Sequence, residues 1–257
     1  MSSVETRSVD RCGRHYGSVL RGGNPMEADP RDRSPSVAEA RRSLLAAGLT
    51  CADVTDALGR IHRHRAHATG LVSPVPSRGL FGRVITISFF PTCAERLNPE
   101  EFNFGRLFHR AVHGASADPA HTVLVMASNG YTETSLAGGT KLSRLANAGL
   151  AGVLTDGRLR DFDELAVEPY AAWCSGEAVA WGGGEVTPFQ ANVPVVIGGV
   201  GVHPGQYVLC DSSGAVFVPE VDIDAVLEAA HQIRRDDADF RSVISRENGD
   251  ATHGTER

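Results

Sequence analysis

The sequence contains almost no lysine and has no long apolar run. Of its 25 lysine and arginine residues, only Lys141 is a lysine, and the formal net charge at pH 7 is −6. An acidic chain argues against nucleic acid as the main partner, because phosphate binding needs a basic surface. No stretch of about 18 apolar residues occurs, so the sequence predicts neither a transmembrane helix nor a membrane partner.

The cysteines are few and far apart, and no two of them form a C-x-x-C pair. They are Cys12, Cys51, Cys93, Cys174 and Cys210. An odd number of widely spaced cysteines excludes a regular disulfide framework and argues against a zinc finger. The first residues lack the apolar segment of a secretion signal. We therefore expect reduced thiols and a cytoplasmic location.

Composition divides the chain into one domain with a tail at each end. Residues 1–35 are rich in Arg, Ser, Gly, Pro and Asp and have little apolar surface to bury, so a disordered tail is predicted there. Met26 within it is a possible alternative start. Residues 36–247 are predicted to form a single domain, and residues 248–257 a flexible C-terminal tail.

Hydrophobic periodicity predicts an α/β fold with a mixed sheet, flanking helices and C-terminal β-hairpins. Helices are predicted over Ser36–Ala47, Ala52–Leu58 with Thr50 as its cap, Phe102–His113, Thr140–Ala148, Asp161–Leu165 and Asp222–Ile233. Strands or extended segments are predicted over Gly82–Phe90, His121–Ala127, Gly152–Thr155, Pro169–Trp173, Val193–Ile197, Gly201–Val202, Tyr207–Cys210 and Val216–Val218.

A glycine pair opens one of these helices and marks a candidate anion site. Gly138 and Gly139 precede the helix at Thr140, where free backbone N–H groups and the positive end of the helix dipole favour a negative charge. One strand later come Arg160, which can hold a carboxylate through two hydrogen bonds, and Asp161, which can hold a hard divalent ion. The alternative is that Arg160 and Asp161 form a surface ion pair in a turn.

Several segments together resemble the RraA-like family. Gly149–Asp161, with the sequence GLAGVLTDGRLRD, is close to the family's G-x-x-G-x-V-x-D-G-x-x-R-D signature. Thr50–Leu58 resembles its opening helix, Leu80–Ile87 its first strand, and Val195–Gly205 and Asp211–Pro219 its C-terminal hairpins. The resemblance implies the RraA-like layered α/β fold. The family includes aldolases that cleave 4-hydroxy-4-methyl-2-oxoglutarate, oxaloacetate decarboxylases, and non-catalytic regulators of ribonuclease E.

The resemblance also implies a role for individual residues. Arg160 would bind the substrate carboxylate, and Asp161 would anchor Mg²⁺ or Mn²⁺. The backbone amides around Thr140, Lys141 and Leu142 would hold the pyruvyl carboxylate and carbonyl. The acidic residue that follows Asp161 three positions later would be Glu164. The family's members form trimers or hexamers, so a homotrimer or hexamer is expected.

The sequence departs from the family pattern at Gly139. The family's aldolases place a carboxylate 21 residues before the arginine, and counting back from Arg160 reaches this glycine. A weakened or lost metal requirement is therefore expected. Glu133, in the preceding loop, is a candidate to supply the missing carboxylate. Lys141 is either a solvated side chain near a helix start, or a cation that binds an anionic substrate or partly replaces the metal.

Other polar groupings have simpler interpretations. His62, His64 and His67 are interleaved with arginines that repel a cation, so a solvated loop is favoured over a metal site. His109 and His113 are spaced as zinc ligands on a helix, but without further ligands they are expected to serve packing or to lie exposed. The glycines of Gly182–Gly184 predict a turn rather than a nucleotide-binding loop.

The sequence thus predicts a carbon–carbon lyase that acts on a small anionic 2-oxo acid by retro-aldol cleavage or decarboxylation. Arg160, Asp161 and Lys141 are its candidate catalytic residues. The alternatives are a non-catalytic regulatory protein that has lost this chemistry, and an enzyme recruited to a specialised pathway. Retention of Arg160 and Asp161 favours an enzyme, whereas Gly139 favours a regulator or a changed reaction.

Overall fold

The computed structural model describes residues 37–115 and 118–252, so the predicted N-terminal tail lies outside the described residues. The helices are α1 (Val37–Ala46), α2 (Cys51–Gly59), α3 (Phe104–His113), α4 (Gly139–Ala148), α5 (Phe162–Val167) and α6 (Ile223–Thr252). The strands are β1 (His67–Ala68), β2 (Leu80–Pro91), β3 (Thr122–Ala127), β4 (Ser135–Ala137), β5 (Gly152–Thr155), β6 (Arg158–Leu159), β7 (Ala171–Trp173), β8 (Val186–Ala191), β9 (Val195–Ile197), β10 (Val200–Val202), β11 (Tyr207–Asp211) and β12 (Gly214–Val218).

Eight of the strands form one mixed sheet, which confirms the predicted fold class. The strand order is β1-β12-β11-β2-β3-β5-β7, and β8 pairs with the C-terminal half of β2. Strands β2, β3, β5 and β7 run parallel to one another, whereas β1, β12, β11 and β8 pair antiparallel. The parallel half comes from the strand–helix–strand middle of the chain. The antiparallel half comes from its turn-rich C-terminal third, except for the short strand β1.

The central strand β3 is buried along its whole length, because both faces of the sheet are covered there. Alternate residues point to opposite faces: Leu124 and Met126 pack with the cluster that includes α3 and α4 residues, whereas Val123 and Val125 pack with residues of β9 and β10. Helices α1, α2 and α6 form a third cluster with β11 and β12. The continuous apolar run of β3 is thus the sequence pattern of a doubly covered strand.

Helix α2 begins with a complete capping box at Thr50. The Thr50 hydroxyl accepts a hydrogen bond from the Asp53 amide at 3.2 Å, and the Asp53 carboxylate accepts one from the Thr50 amide at 2.8 Å. These two bonds satisfy backbone N–H groups that the first turn of a helix cannot pair internally. Thr50 is therefore the start of α2, as the sequence predicts.

Replacing Thr50 by alanine is expected to lower the free energy of unfolding by about 1 kcal/mol, because the cap is lost while no apolar contact changes. Urea unfolding followed by circular dichroism measures this difference. Thr69→Ala, at an exposed loop position, serves as the control and should leave stability unchanged. An unchanged midpoint for Thr50→Ala would show that the box contributes nothing to stability.

Helix α6 is longer than the sequence pattern predicts. The predicted helix ends at Ile233, but α6 continues to Thr252, so the predicted tail from Asn248 begins inside the helix. Residues 235–246 are exposed, so this part of the helix has no buried face whose apolar periodicity would predict it from the sequence. No proline or glycine interrupts the chain between Ile233 and Asn248, so the local sequence is compatible with a continued helix. In the part of the chain described here, no helix combines the length and apolarity that crossing a bilayer requires.

Candidate functional site

Two short parallel strands bring the glycine pair beside the Arg–Asp pair. Strands β4 and β6 pair in parallel, and the Arg160 amide extends this pairing by donating to the Ala137 carbonyl at 3.2 Å. Gly138 follows β4 directly, as Arg160 follows β6. Because both strands end at the same edge, α4 and the Arg160–Asp161 segment begin next to each other.

A cavity of about 210 Å³ opens at this edge. It is lined by Ser135, Ala137, Gly138, Thr140, Lys141, Arg160, Asp161 and Trp181. Five of the predicted site residues therefore meet around one cavity, although they come from segments about twenty residues apart. Sequence reasoning did not identify Trp181, whose side chain is 64% exposed at the cavity rim.

Acidic side chains lie close against the two glycines. A Cβ on Gly138 would clash with the Oδ2 atom of Asp161, and a Cβ on Gly139 would clash with the Oε2 atom of Glu164. Both glycines are buried, and neither has a positive φ angle. Acidic side chains therefore approach both glycines closely, and no left-handed backbone conformation calls for glycine at either position.

Asp161 is held in an unusual backbone conformation with its carboxylate turned towards α4. Its φ is 64° and its ψ is 46°, which is the left-handed region that few residues other than glycine adopt. Although Asp161 precedes α5, its side chain does not cap that helix. Instead Oδ2 accepts hydrogen bonds from the Gly139 amide at 3.1 Å and from Arg160 Nε at 3.3 Å. Such local strain is found at functional sites, where the surrounding structure fixes a side chain.

Two cations face the same cavity as this single carboxylate. The Arg160 side chain is 40% exposed, and only its Nε atom bonds to another described residue. Lys141 Nζ donates to the Leu136 carbonyl oxygen at 3.4 Å. Burial lowers the pKa of Lys141, and the neighbouring charges of Arg160 and Arg144 lower it further. A bound anion would relieve this repulsion, so the cavity favours negatively charged ligands.

The three amides named as candidate anion donors differ in their hydrogen bonds. The Leu142 amide donates to the Gly138 carbonyl at 3.0 Å and is the first hydrogen bond within α4, while the Leu142 side chain is fully buried. The Leu142 amide is therefore engaged within the helix, and a part for Leu142 in substrate binding stays a prediction. The amides of Thr140 and Lys141 precede this bond, and Gly138 provides no side-chain cap. These two amides have no acceptor within α4.

The other acidic and histidine candidates lie elsewhere. Glu133 is exposed in the loop before β4 and accepts from the Thr132 hydroxyl, outside the cavity lining. His62 pairs with Asp222 at 2.9 Å in the exposed loop after α2. His109 and His113 lie on the exposed face of α3 with ring centroids 3.8 Å apart. Within residues 37–115 and 118–252, no three His, Cys, Asp or Glu side chains form a metal-holding group.

Comparison with solved structures shows the same fold in other proteins. A Streptomyces coelicolor protein, an unusual member of the RNase ES inhibitor RraA protein family, superposes with a TM-score of 0.69 over 81% of this chain and 99% of its own, at 22% identity. An uncharacterized Pseudomonas syringae protein gives the same TM-score and identity over 83% of this chain and 91% of its own.

Curated relatives match at low identity and over part of their length. Protein DlpA of Legionella pneumophila is 23% identical over 241 residues, which are 92% of this chain but 37% of that protein. The 4-hydroxy-4-methyl-2-oxoglutarate aldolase of Thermus thermophilus is 37% identical over 106 residues, which are 39% of this chain and 61% of the aldolase. The chain thus spans less than two thirds of either relative.

A match to a family model assigns the chain to a family, and the partial matches agree with it. The model described as RraA-like, Aldolase/RraA, matches residues 51–217, which include the sheet, the cavity and the Arg160–Asp161 pair. The predicted resemblance is thereby confirmed, and the chain belongs to the RraA-like family.

Proposed function

We propose that this protein is a carbon–carbon lyase that cleaves a small 2-oxo acid next to its pyruvyl unit. The observation that carries the proposal is the cavity at the start of α4, which Thr140, Lys141, Arg160 and Asp161 line together and in which Arg160 Nε donates to the Asp161 carboxylate. An aldolase of the same family, from Thermus thermophilus, supports this reaction class. Retro-aldol cleavage and decarboxylation share one requirement, which is stabilisation of the pyruvate enolate.

The residues around the cavity suit the two ends of such a substrate. The amides at the start of α4 would bind the carboxylate of the pyruvyl unit, because a helix N-terminus presents donors and positive potential together. The Arg160 guanidinium would bind a carboxylate at the other end, where its planar donors match two oxygens. Negative charge that develops on the keto oxygen would lie near Lys141. A dianionic 2-oxo acid is therefore the substrate class that the charges favour.

The donor set fits a divalent ion held through one protein carboxylate. Asp161 Oδ2 is engaged by Gly139 and Arg160, whereas its Oδ1 atom makes no hydrogen bond to any described residue. Mg²⁺ commonly binds through one or two carboxylates and fills its other positions with water and substrate. When bound, such an ion supplies Lewis-acid polarisation of the keto oxygen. The nearby ammonium and guanidinium oppose it, so weak Mg²⁺ or Mn²⁺ affinity is expected.

Product formation from purified protein tests the proposal. The protein is incubated with oxaloacetate and with 4-hydroxy-2-oxo acids, with and without Mg²⁺ or Mn²⁺, and pyruvate is quantified. Enzyme-dependent pyruvate release from at least one of these acids supports a lyase. No release above the buffer-and-metal blank from any acid, with the protein folded by circular dichroism, would contradict it.

The absence of a carboxylate on residue 139 favours a second possibility, a non-catalytic regulatory protein. Gly139 leaves α4 without an acidic side chain at its first position. A regulator of this type would keep the fold and the anion cavity but release no pyruvate. Its homotrimeric or hexameric assembly and its cytoplasmic location stay predictions for either function.

The lowered pKa of Lys141 predicts pH-dependent anion binding. A bound anion favours the charged ammonium, so affinity is greatest below the lowered pKa and falls as pH rises through it. For an exposed lysine, the same loss begins only near the ordinary value of about 10.4. Calorimetric titration with oxalate at a series of pH values should therefore show that the affinity begins to fall at a pH below about 10.4. Lys141→Met should bind about ten-fold more weakly at neutral pH and lose the pH dependence. An equal pH profile in Lys141→Met would contradict this role.

A further inference from the structure

An indole ring at the rim of the α4 cavity takes no part in the proposed reaction. Trp181 lines the cavity together with Lys141 and Arg160, yet 64% of its side chain is exposed. Among the described residues, the indole neither stacks on another ring nor donates a hydrogen bond. Small-molecule pockets typically combine apolar or aromatic walls with a few polar groups that fix the orientation of the ligand. The ring is therefore open apolar surface on which a bound substrate can pack.

The glycine-rich turn after Trp181 positions the indole beside the cavity. The main chain at Trp181 pairs with Ser135 of β4, and the Ser135 amide donates to the Ala180 carbonyl at 3.0 Å. A Cβ on Gly182 would clash with the Ser135 carbonyl oxygen, so the turn lies directly against β4. A Cβ on Gly183 would clash with carbon atoms of the indole, so the ring lies against this residue. Backbone pairing and close contacts at two glycines thus hold the ring at this place.

The aromatic ring and the arginine come to the cavity from opposite sides of β4. Ser135 pairs in parallel with Arg158 of β6 on one side and with Trp181 on the other. Arg160 follows β6 directly, and α4 follows β4, so the start of α4 lies between the two. The cavity therefore has an arginine side and an aromatic side, and a ligand held at the α4 start can extend towards both.

We propose that Trp181 is a specificity-determining residue that selects 2-oxo acids with a bulky apolar group at C4. The proposal rests on the proposed lyase function, in which C4 of the substrate carries the carboxylate that Arg160 binds. C4 is tetrahedral before cleavage, so a second substituent on it points away from this carboxylate and can reach the aromatic side. A phenyl ring there would cover the exposed indole and remove apolar surface of both rings from water.

Two 2-oxo acids of equal charge test the aromatic contact without turnover. Phenylpyruvate is pyruvate with a phenyl group on C3, so its ring takes the place of C4 and the groups attached to it. Calorimetric titration should give an affinity for phenylpyruvate at least about ten-fold above that for pyruvate, because one methylene group in an apolar pocket already changes discrimination about 10–200-fold. Trp181→Ala should lower this ratio to between about one and two. Trp181→Phe keeps an aromatic face and should retain most of the ratio.

Val179→Ala is the matched control for this measurement. Val179 belongs to the same loop and is 98% exposed, but the described lining of the cavity does not include it. The substitution removes an exposed apolar side chain and should leave the affinity ratio at its wild-type value. An equal fall of the ratio in Val179→Ala and Trp181→Ala would show that the loop as a whole had changed, and it would overturn the inference.

Turnover provides a second measurement of the same preference. 4-Hydroxy-2-oxoglutarate and its 4-phenyl derivative carry the same charges, and retro-aldol cleavage releases pyruvate with glyoxylate from the first and with phenylglyoxylate from the second. In the wild type, kcat/KM should be at least about ten-fold higher for the phenyl derivative. Trp181→Ala should abolish this preference, whereas loss of a group that binds both acids equally would lower the two values together.

Failure of this inference and failure of the lyase function give different results. A wild type that prefers phenylpyruvate through Trp181 but releases pyruvate from neither acid contradicts the lyase function and supports the aromatic contact. A wild type that cleaves both acids, with a preference unchanged in Trp181→Ala, contradicts the role of Trp181 alone. Equal wild-type affinities for pyruvate and phenylpyruvate would also overturn that role.

Discussion

Replacing Asp161 by asparagine is expected to lower kcat/KM for the 2-oxo acid by about 100-fold or more. Substitution of even the outer partners of a metal site costs up to about 100-fold in activity, and Asp161 is the one carboxylate among the described residues that line this cavity. The substitution removes one negative charge and leaves Lys141 and Arg160 without an acidic neighbour inside the cavity. Steady-state kinetics with a metal titration at each substrate concentration measures the loss.

Asparagine is the informative replacement because the backbone at Asp161 is left-handed. Asparagine tolerates a φ of 64°, whereas alanine there would add backbone strain of about 1 kcal/mol. An alanine variant would therefore lose stability as well as the carboxylate, and the two effects on activity could not be separated. The asparagine carbonyl can still accept the Gly139 amide, so the melting temperature should stay close to the wild-type value. Activity within a few-fold of wild type would show that Asp161 has a structural role only.

Replacing Arg160 by alanine is expected to lower kcat/KM by at least about ten-fold, because a charge-assisted contact to a substrate carboxylate is worth about 1.5–3 kcal/mol. The side chain is 40% exposed, and within the described part of the chain it bonds only to Asp161, so the melting temperature should hardly change. Arg160→Lys should recover part of the loss, since it keeps the charge but not the two parallel donors.

Arg106→Ala is the matched control, because it removes an exposed arginine from α3, far along the chain from the cavity elements. It should leave kcat/KM unchanged, which separates local binding from the effect of total charge. Wild-type kinetics in Arg160→Ala would refute carboxylate binding by this residue. Unfolding of Arg160→Ala would instead indicate that the Arg160–Asp161 pair stabilises the domain.

Local sequence signals located most of the elements that build this fold. The continuous apolar run of β3 and the cap at Thr50 each rely on neighbouring residues only, and both are where the sequence predicts them. Strands β4 and β6 were not predicted, because three- and two-residue segments are too short to display a period. Yet their pairing brings Gly138 next to Arg160.

The site was predicted in its composition but not in its contacts. Gly138, Thr140, Lys141, Arg160 and Asp161 meet at one cavity, as residues that follow adjacent strands should. The contact of Glu164 with Gly139 depends on how α5 packs against α4, which no local pattern in either helix reports. Glu133 lies in the loop before β4, outside the cavity lining, so its candidate role stays a prediction.

The crystal structure of the protein with saturating pyruvate tests the central claim most directly. The account predicts pyruvate in the cavity at the start of α4, with its carboxylate oxygens within hydrogen-bonding distance of the Thr140 and Lys141 amides and its keto oxygen facing Lys141 and Asp161. Pyruvate bound at another place, such as the histidine- and arginine-rich loop between His62 and His67, with the α4 cavity empty, would contradict it.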